Sequence, residues 1–197
     1  MFRMFKPEIL RIVSFDPGSN TLGAAVLAYD LEDESLSLVE VQTLDGHRNA
    51  RIDPDYARLH GDRIGRLKSH YRVLKRFFHR TQPHIVVSEG PFMAKHAAAY
   101  AALVETVTYI RFALEEYRED IPLELIDPPT VKMGVGAAGN ADKDAVKKCV
   151  LGIEYLRNPN SIDLNRLDEH SIDAIAVGLT RVKKYCDYLK EARHAYA

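Results

Sequence analysis

Cysteine is scarce: Cys149 and Cys186 are the only two in 197 residues. They stand far apart with no CxxC or paired His-Cys spacing, so neither a zinc knuckle nor a redox pair is expected. Reduced thiols fit a cytoplasmic location. Long hydrophobic runs are missing as well. The opening Met1-Phe2-Arg3-Met4-Phe5-Lys6 is broken by charge and then by Pro7, and no later run is expected to approach the roughly twenty apolar residues that span a membrane. No export segment and no membrane contact are expected. There is no internal repeat, linker or low-complexity tract, and the length suits one domain, residues 1–197, with its own core. A charge excess is also lacking, with 27 Lys and Arg against 28 Asp and Glu. The distribution is uneven, however. Ten Lys or Arg fall between Arg48 and Arg80 against Asp53, Asp55 and Asp62, while acids gather at Asp30 to Glu40 and Glu115 to Asp127. That segregation is compatible with a basic face for a polyanion and equally with a solvated helix face.

What is present is a clear alternation of patterns. Ile9 to Phe15 is an apolar run closed by the turn residues Asp16-Pro17-Gly18-Ser19-Asn20; Leu22 to Tyr29 and Leu36 to Leu44 complete a three-strand meander. Ile64, Leu67, Tyr71, Leu74 and Phe78 recur at helical spacing. Ile85 to Glu89 reads as a short buried strand, Ala94 to Arg118 as a long alanine-rich helix, and Leu123 to Ile126 as a fifth strand stopped by Pro128-Pro129. Such a strand, helix, strand series implies parallel pairing through right-handed crossovers. Thereafter Thr130 to Met133 opens a short helix, Gly134 to Gly139 a loop, Asp142 to Gly152 a helix, Arg157 to Leu167 a surface loop and Asp168 to Leu189 the last helix.

Carboxylates fall at telling places in this scheme. Asp16 ends one strand and Glu89 another, where side chains project from the carboxyl edge of a parallel sheet. Asp173 lies three residues after His170, so the two share a helix face; Glu169 is one turn from Asp173 and competes for the same role. The three acids offer hard oxygen donors suited to Mg²⁺, and a neutral imidazole can ligate a metal through nitrogen. Each has a plainer reading: Asp16 as a turn residue, Glu89 as a first-turn acid, Asp168 or Ser171 as a helix cap. The other histidines, His47, His60, His70, His79, His84, His96 and His194, show no metal-ligand spacing and read as surface or partly buried residues.

The segments Ser14-Phe15-Asp16-Pro17-Gly18-Ser19, Val87 to Lys95 with its Gly90-Pro91-Phe92-Met93, Gly139 to Lys143, and His170-Ser171-Ile172-Asp173-Ala174-Ile175-Ala176 occur in an order that resembles RuvC-type Holliday-junction resolvases. The resemblance runs from Ile9 to about Lys184. It implies an α/β, ribonuclease H-like fold with a central five-stranded mixed sheet flanked by helices, a homodimer, and branched DNA, chiefly the four-way junction, as partner. It further implies two Mg²⁺ ions per site, replaceable by Mn²⁺, held by Asp16, Glu89, His170 and Asp173, with Lys143 also catalytic. One ion would activate water and the other stabilise the leaving 3′ oxygen. Phe92, Lys95, Lys132 and Lys143 match positions that contact DNA, Phe92 as a wedge between unstacked bases. The chain departs from the pattern at Asp45 to Asp55, at Arg157 to Leu167, and at His170, where many relatives carry aspartate. Rival readings are a non-catalytic branched-DNA-binding protein, a nuclease of the same superfamily acting on RNA, and a fragment of an actin-like phosphotransferase; the last needs a second phosphate motif that this length barely accommodates.

Overall fold

The computed structural model describes residues 8–50, 53–93 and 96–195. Six strands, β1 (Ile9–Asp16), β2 (Thr21–Asp30), β3 (Leu36–Asp45), β4 (Ile85–Glu89), β5 (Leu123–Ile126) and β6 (Leu156–Arg157), form one sheet in the order β5-β4-β1-β2-β3-β6. β1, β2 and β3 are the expected antiparallel meander, and β4 and β5 add parallel to β1 and to each other. The expected count of five strands is corrected by β6, which pairs parallel to β3 through Leu36 and Ser37. Two residues are too few to carry an alternation of polar and apolar side chains, so only the neighbouring strand reveals β6.

The helices are α1 (Gly46–Ala50), α2 (Pro54–His60), α3 (Asp62–Thr81), α4 (Ala97–Tyr117), α5 (Pro128–Gly134), α6 (Lys143–Leu151) and α7 (Glu169–Ala195). The stretch expected as a long loop from Asp45 thus holds α1, and Asp53 caps α2 by accepting from the Tyr56 amide. Gly134, placed in the loop by its composition, closes α5 instead. α4 is long and apolar enough, by length and composition alone, to cross a membrane, which corrects the expectation that no run approaches such a span; Glu105 and Arg111 interrupt its apolar residues. Here it packs on α3 with Ile110, Ala113 and Leu114 buried.

Each face of the sheet carries its own core. Ile12, Ala25, Leu27 and Val87 meet Ile172, Ile175 and Leu179 of α7 on one side. Val13, Phe15 and Val86 meet Leu74 and Phe78 of α3 and Ile110 and Leu114 of α4 on the other. Burial of each such large side chain stabilises the fold by about 1.5–3 kcal/mol. The pleat decides which strand residue faces which layer. Even-numbered Ile12 and Ser14 face α7, Ser14 donating to the Ala174 carbonyl at 2.7 Å, so Asp16, two residues on, continues on that side. In β4 the odd-numbered residues take that face, since Val87 is in register with Ser14, and Val87 and therefore Glu89 point toward α7.

α7 lies directly on the backbone of the sheet because two glycines permit it. A Cβ at Gly178 would lie 2.4 Å from Leu27 Cδ1, and one at Gly23 would lie 2.1 Å from the His170 carbonyl oxygen. A side chain at Gly23 would lift the start of α7, and His170 with it.

Candidate active site

β1 and β4 are parallel neighbours whose registered pairs end at Phe15 and Ser88. One residue further, Asp16 and Glu89 leave the same edge of the sheet on the same face. α7 begins over that edge, and Asp168 anchors it by accepting from the Ser171 amide at 2.8 Å and from the Thr43 hydroxyl at 2.7 Å. Asp168 is therefore a capping residue, and burial of its carboxyl is outweighed by these donors, which hold its pKa below the ordinary value. The next turn of α7 delivers His170 and Asp173.

His170 is engaged on both ring nitrogens. Nδ1 lies 2.7 Å from Asp16 Oδ2 and Nε2 lies 2.7 Å from Thr21 Oγ1. When Nδ1–H donates to the carboxylate, Nε2 of the neutral ring accepts from the Thr21 hydroxyl. The bond to Asp16 raises the His170 pKa against the opposing effect of burial. Thr21 is a site residue that sequence reasoning did not select. Its signal was the hairpin itself: it opens β2 directly across the turn from Asp16.

The carboxylates strain against each other. The Glu89 carboxylate makes no hydrogen bond with the described residues; burial, with the charges of Asp16 and Asp173 adding to it, pushes its pKa up to about 8. Asp173 is raised to about 6 by burial and then by Asp16. Lys143, the first residue of α6, partly answers this charge. Its Nζ lies 2.6 Å from Glu169 Oε2 and 3.9 Å from Asp173 Oδ2. Burial pulls the lysine pKa down, and Glu169, Asp173 and Asp16 together override it upward. Glu169 is thus at the rim, half exposed and bound to Lys143, whereas His170 and Asp173 reach inward to Asp16.

Three carboxylates that cannot all ionise at low cost, with one imidazole beside them, are a donor set that suits a hard divalent cation. Among the described residues no three His, Cys, Asp or Glu side chains already close into a metal cage. Asp16 Oδ1 makes no hydrogen bond with the described residues, so Asp16 can donate to a cation while Oδ2 stays on His170.

The remaining expected residues are spread around this edge. Phe92, 55% exposed, stands with exposed Met93 in the loop after β4 and belongs to neither core. Lys132, in α5, donates from Nζ to the Ala141 carbonyl at 2.6 Å, tying α5 to the loop before α6, and its charge lowers the Glu89 pKa from there. Lys95 lies outside the described residues. Half of the ten cations in the run from Arg48 to Arg80 are paired with acids: Arg58 with Asp55, Arg63 with Glu105, Arg72 with Asp53, Lys75 with Glu116 and Arg80 with Glu40.

The chain matches no sequence-family model and no curated protein sequence. Its structure does match solved ones. Thermus thermophilus RuvC superposes with a TM-score of 0.62 at 22% identity, over 87% of this chain and 92% of that one. The yeast mitochondrial Holliday junction resolvase matches with a TM-score of 0.59 at 11% identity, covering 96% and 86%. Fowlpox virus resolvase in complex with substrate Holliday junction DNA matches with a TM-score of 0.57 at 16% identity, covering 88% and 99%. The fold is that of the RuvC-type, ribonuclease H-like resolvases.

Proposed function

We propose that this chain is a divalent-metal-dependent, structure-selective endodeoxyribonuclease of one nuclease domain that resolves four-way DNA junctions by paired nicks. The observation that carries the reading is the convergence of Asp16, Glu89 and Asp173, from two parallel strands and one helix, at a single sheet edge beside Lys143. Mg²⁺, two ions per site, fits the donor set best, and Mn²⁺ is the expected substitute. Bound there, the ions would supply an activated water and charge neutralisation at the leaving 3′ oxygen.

The chain's own groups do the rest. Asp16, Glu89 and Asp173 would hold the ions, with Asp16 central among the three. His170 orients Asp16 and is available to the metal by exchange of its Thr21 partner. Lys143 brings a point charge to the scissile phosphate, and the Lys132 tie keeps the loop before α6 in place so that Lys143 stays at the edge. Phe92 enters between bases where the strands branch, and Lys95 is a further candidate for a phosphate contact. A four-way junction has two-fold symmetry, so a homodimer would present two such sites to equivalent strands. The exposed Ala97, Ala101 and Val104 on the outer side of α4 support a self-association surface.

The test is cleavage of a labelled mobile four-way junction, a fork, a flap and plain duplex, with and without Mg²⁺, with the nicks mapped. Symmetric, Mg²⁺-dependent nicks in the junction, with the duplex left intact, are expected. Equal cutting of every substrate, or none of any, would overturn the proposal.

A further inference from the structure

On the opposite side of the sheet from the carboxylates, α2, α3 and α4 frame a groove of about 280 Å³ lined by Tyr56, Lys68, Tyr71, Tyr109 and Phe112. Lys68 and Tyr71 also line an adjoining depression of about 520 Å³ that continues to Arg72, Lys75 and Arg76. We infer that this continuous groove binds an unpaired nucleic-acid strand.

Two features carry the inference together. The first is aromatic surface left open to solvent: Phe112 is 52% exposed, and the three tyrosines flank it, although each core has room only for the rings that face the sheet. The second is the placement of positive charge on those rings. Lys68 Nζ sits 5.1 Å from the Tyr71 ring centroid and 6.0 Å from that of Tyr56, and Lys75 Nζ sits 5.6 Å from Tyr71. Arg72 and Lys75 are balanced by Asp53 and Glu116, whereas Lys68 and Arg76 have no ion-pair partner among the described residues. A cleft that offers flat rings beside two cations without a direct ion pair, although Lys68 still acts at longer range on Asp53, matches the alternation of bases and phosphates in a single strand. Duplex DNA keeps its bases stacked inside and offers the rings nothing. None of the catalytic candidates lines the groove, so its binding is separable from cleavage. Its use extends the reading given above, because a branched substrate with an unpaired arm would engage both surfaces.

The chain has no tryptophan, so Phe112→Trp installs a sole reporter at the groove. An oligothymidylate of about 15 nucleotides, a length within the range of single-strand sites, should quench its emission saturably, and a duplex of the same length should do so at least ~10-fold more weakly. In that background Lys68→Glu with Arg76→Glu should weaken oligothymidylate binding at least ~10-fold with the melting temperature kept, and Tyr56→Ala should weaken it through lost stacking. Asp16→Asn should leave the titration unchanged whatever it does to cleavage, which separates failure of this inference from failure of the nuclease reading. No quench, an equal response to duplex, an equal response to an acidic peptide, or indifference to the charge reversals would overturn the inference.

Discussion

Asp16 and His170 stand 154 residues apart in the chain and meet at 2.7 Å, His170 Nδ1 on Asp16 Oδ2. The bond joins the end of the first strand to the first turn of the last helix, so the site closes only when both ends of the fold are in place. It also means that His170 acts on Asp16 in addition to any role at a metal.

Asp16→Asn, Glu89→Gln and Asp173→Asn should each lower junction cleavage by more than about 100-fold, beyond the 10- to 100-fold typical of groups that only support a ligand. Amides keep the volume and remove the charge. Gel shifts should show junction binding retained, and near-normal cleavage by any one variant would take that residue out of the site.

His170→Ala should reduce cleavage strongly, and His170→Asp should recover part of it with a flatter profile between about pH 6 and pH 8, because the exchange removes an imidazole whose protonation changes near neutrality and leaves Glu89 and Asp173 as they were. Thr21→Val, which keeps the shape and removes the hydroxyl, should cost about 10-fold as a second-layer contact. Glu169→Gln should change cleavage little. If Glu169→Gln is inactive and His170→Ala is fully active, the two positions have exchanged roles.

A divalent cation should stabilise the protein more at pH 8 than at pH 6. Glu89 and Asp173 have native pKa values raised to about 8 and about 6. Without metal their contribution to stability is fully present below their unfolded pKa values and is lost as pH rises through 6 and then 8. In EDTA at pH 8, Glu89→Gln should therefore be more stable than the wild type, by on the order of a few kcal/mol, and melt higher. Mg²⁺ should raise the wild-type melting temperature and leave Glu89→Gln nearly unmoved. A metal response that is the same at both pH values would speak against carboxylate ligation.

His70, expected at or near the surface, is instead 1% exposed, and burial lowers its pKa to about 4 even though the Ser19 and Gly18 carbonyls lie near enough to pull it upward. Neither ring nitrogen reaches full hydrogen-bond geometry. A base depressed this way binds its proton better when unfolded, so its share of stability is complete above about pH 6.5 and falls away as pH drops toward 4, by about 3 kcal/mol in all. Denaturant melts across that range should show a shallower loss in His70→Gln than in the wild type. Parallel slopes would mean that His70 is not the titrating group.

Junction binding should weaken with salt less steeply than ten cations in the Arg48 to Arg80 run would suggest, because several are held by acids on neighbouring elements and release no counterions. Lys143→Ala should lower cleavage far more than binding. An equal loss in both would place Lys143 at a distant phosphate and not at the reacting one.

The periodicity of the chain was enough to locate β1 to β5 and the long helices, since a half-buried strand and an amphipathic helix must show their burial as a repeat of 2 or 3.6 residues. It also set Asp16 and Glu89 at strand ends and put His170 and Asp173 on one helix face, all of which follow from spacing within a single element. What spacing cannot express is which elements become neighbours. That β4 lies beside β1, that Thr21 reaches His170, that Lys143 meets Glu169, and that Asp53, Glu105 and Glu116 neutralise much of the basic run depends on contacts between residues distant in sequence. The burial of His70 and the two-residue β6 belong with them. Those contacts exist only after the two faces of the sheet have been covered, because it is the packing of α7 on one side and of α3 and α4 on the other that brings charged ends together in a space from which water is largely excluded.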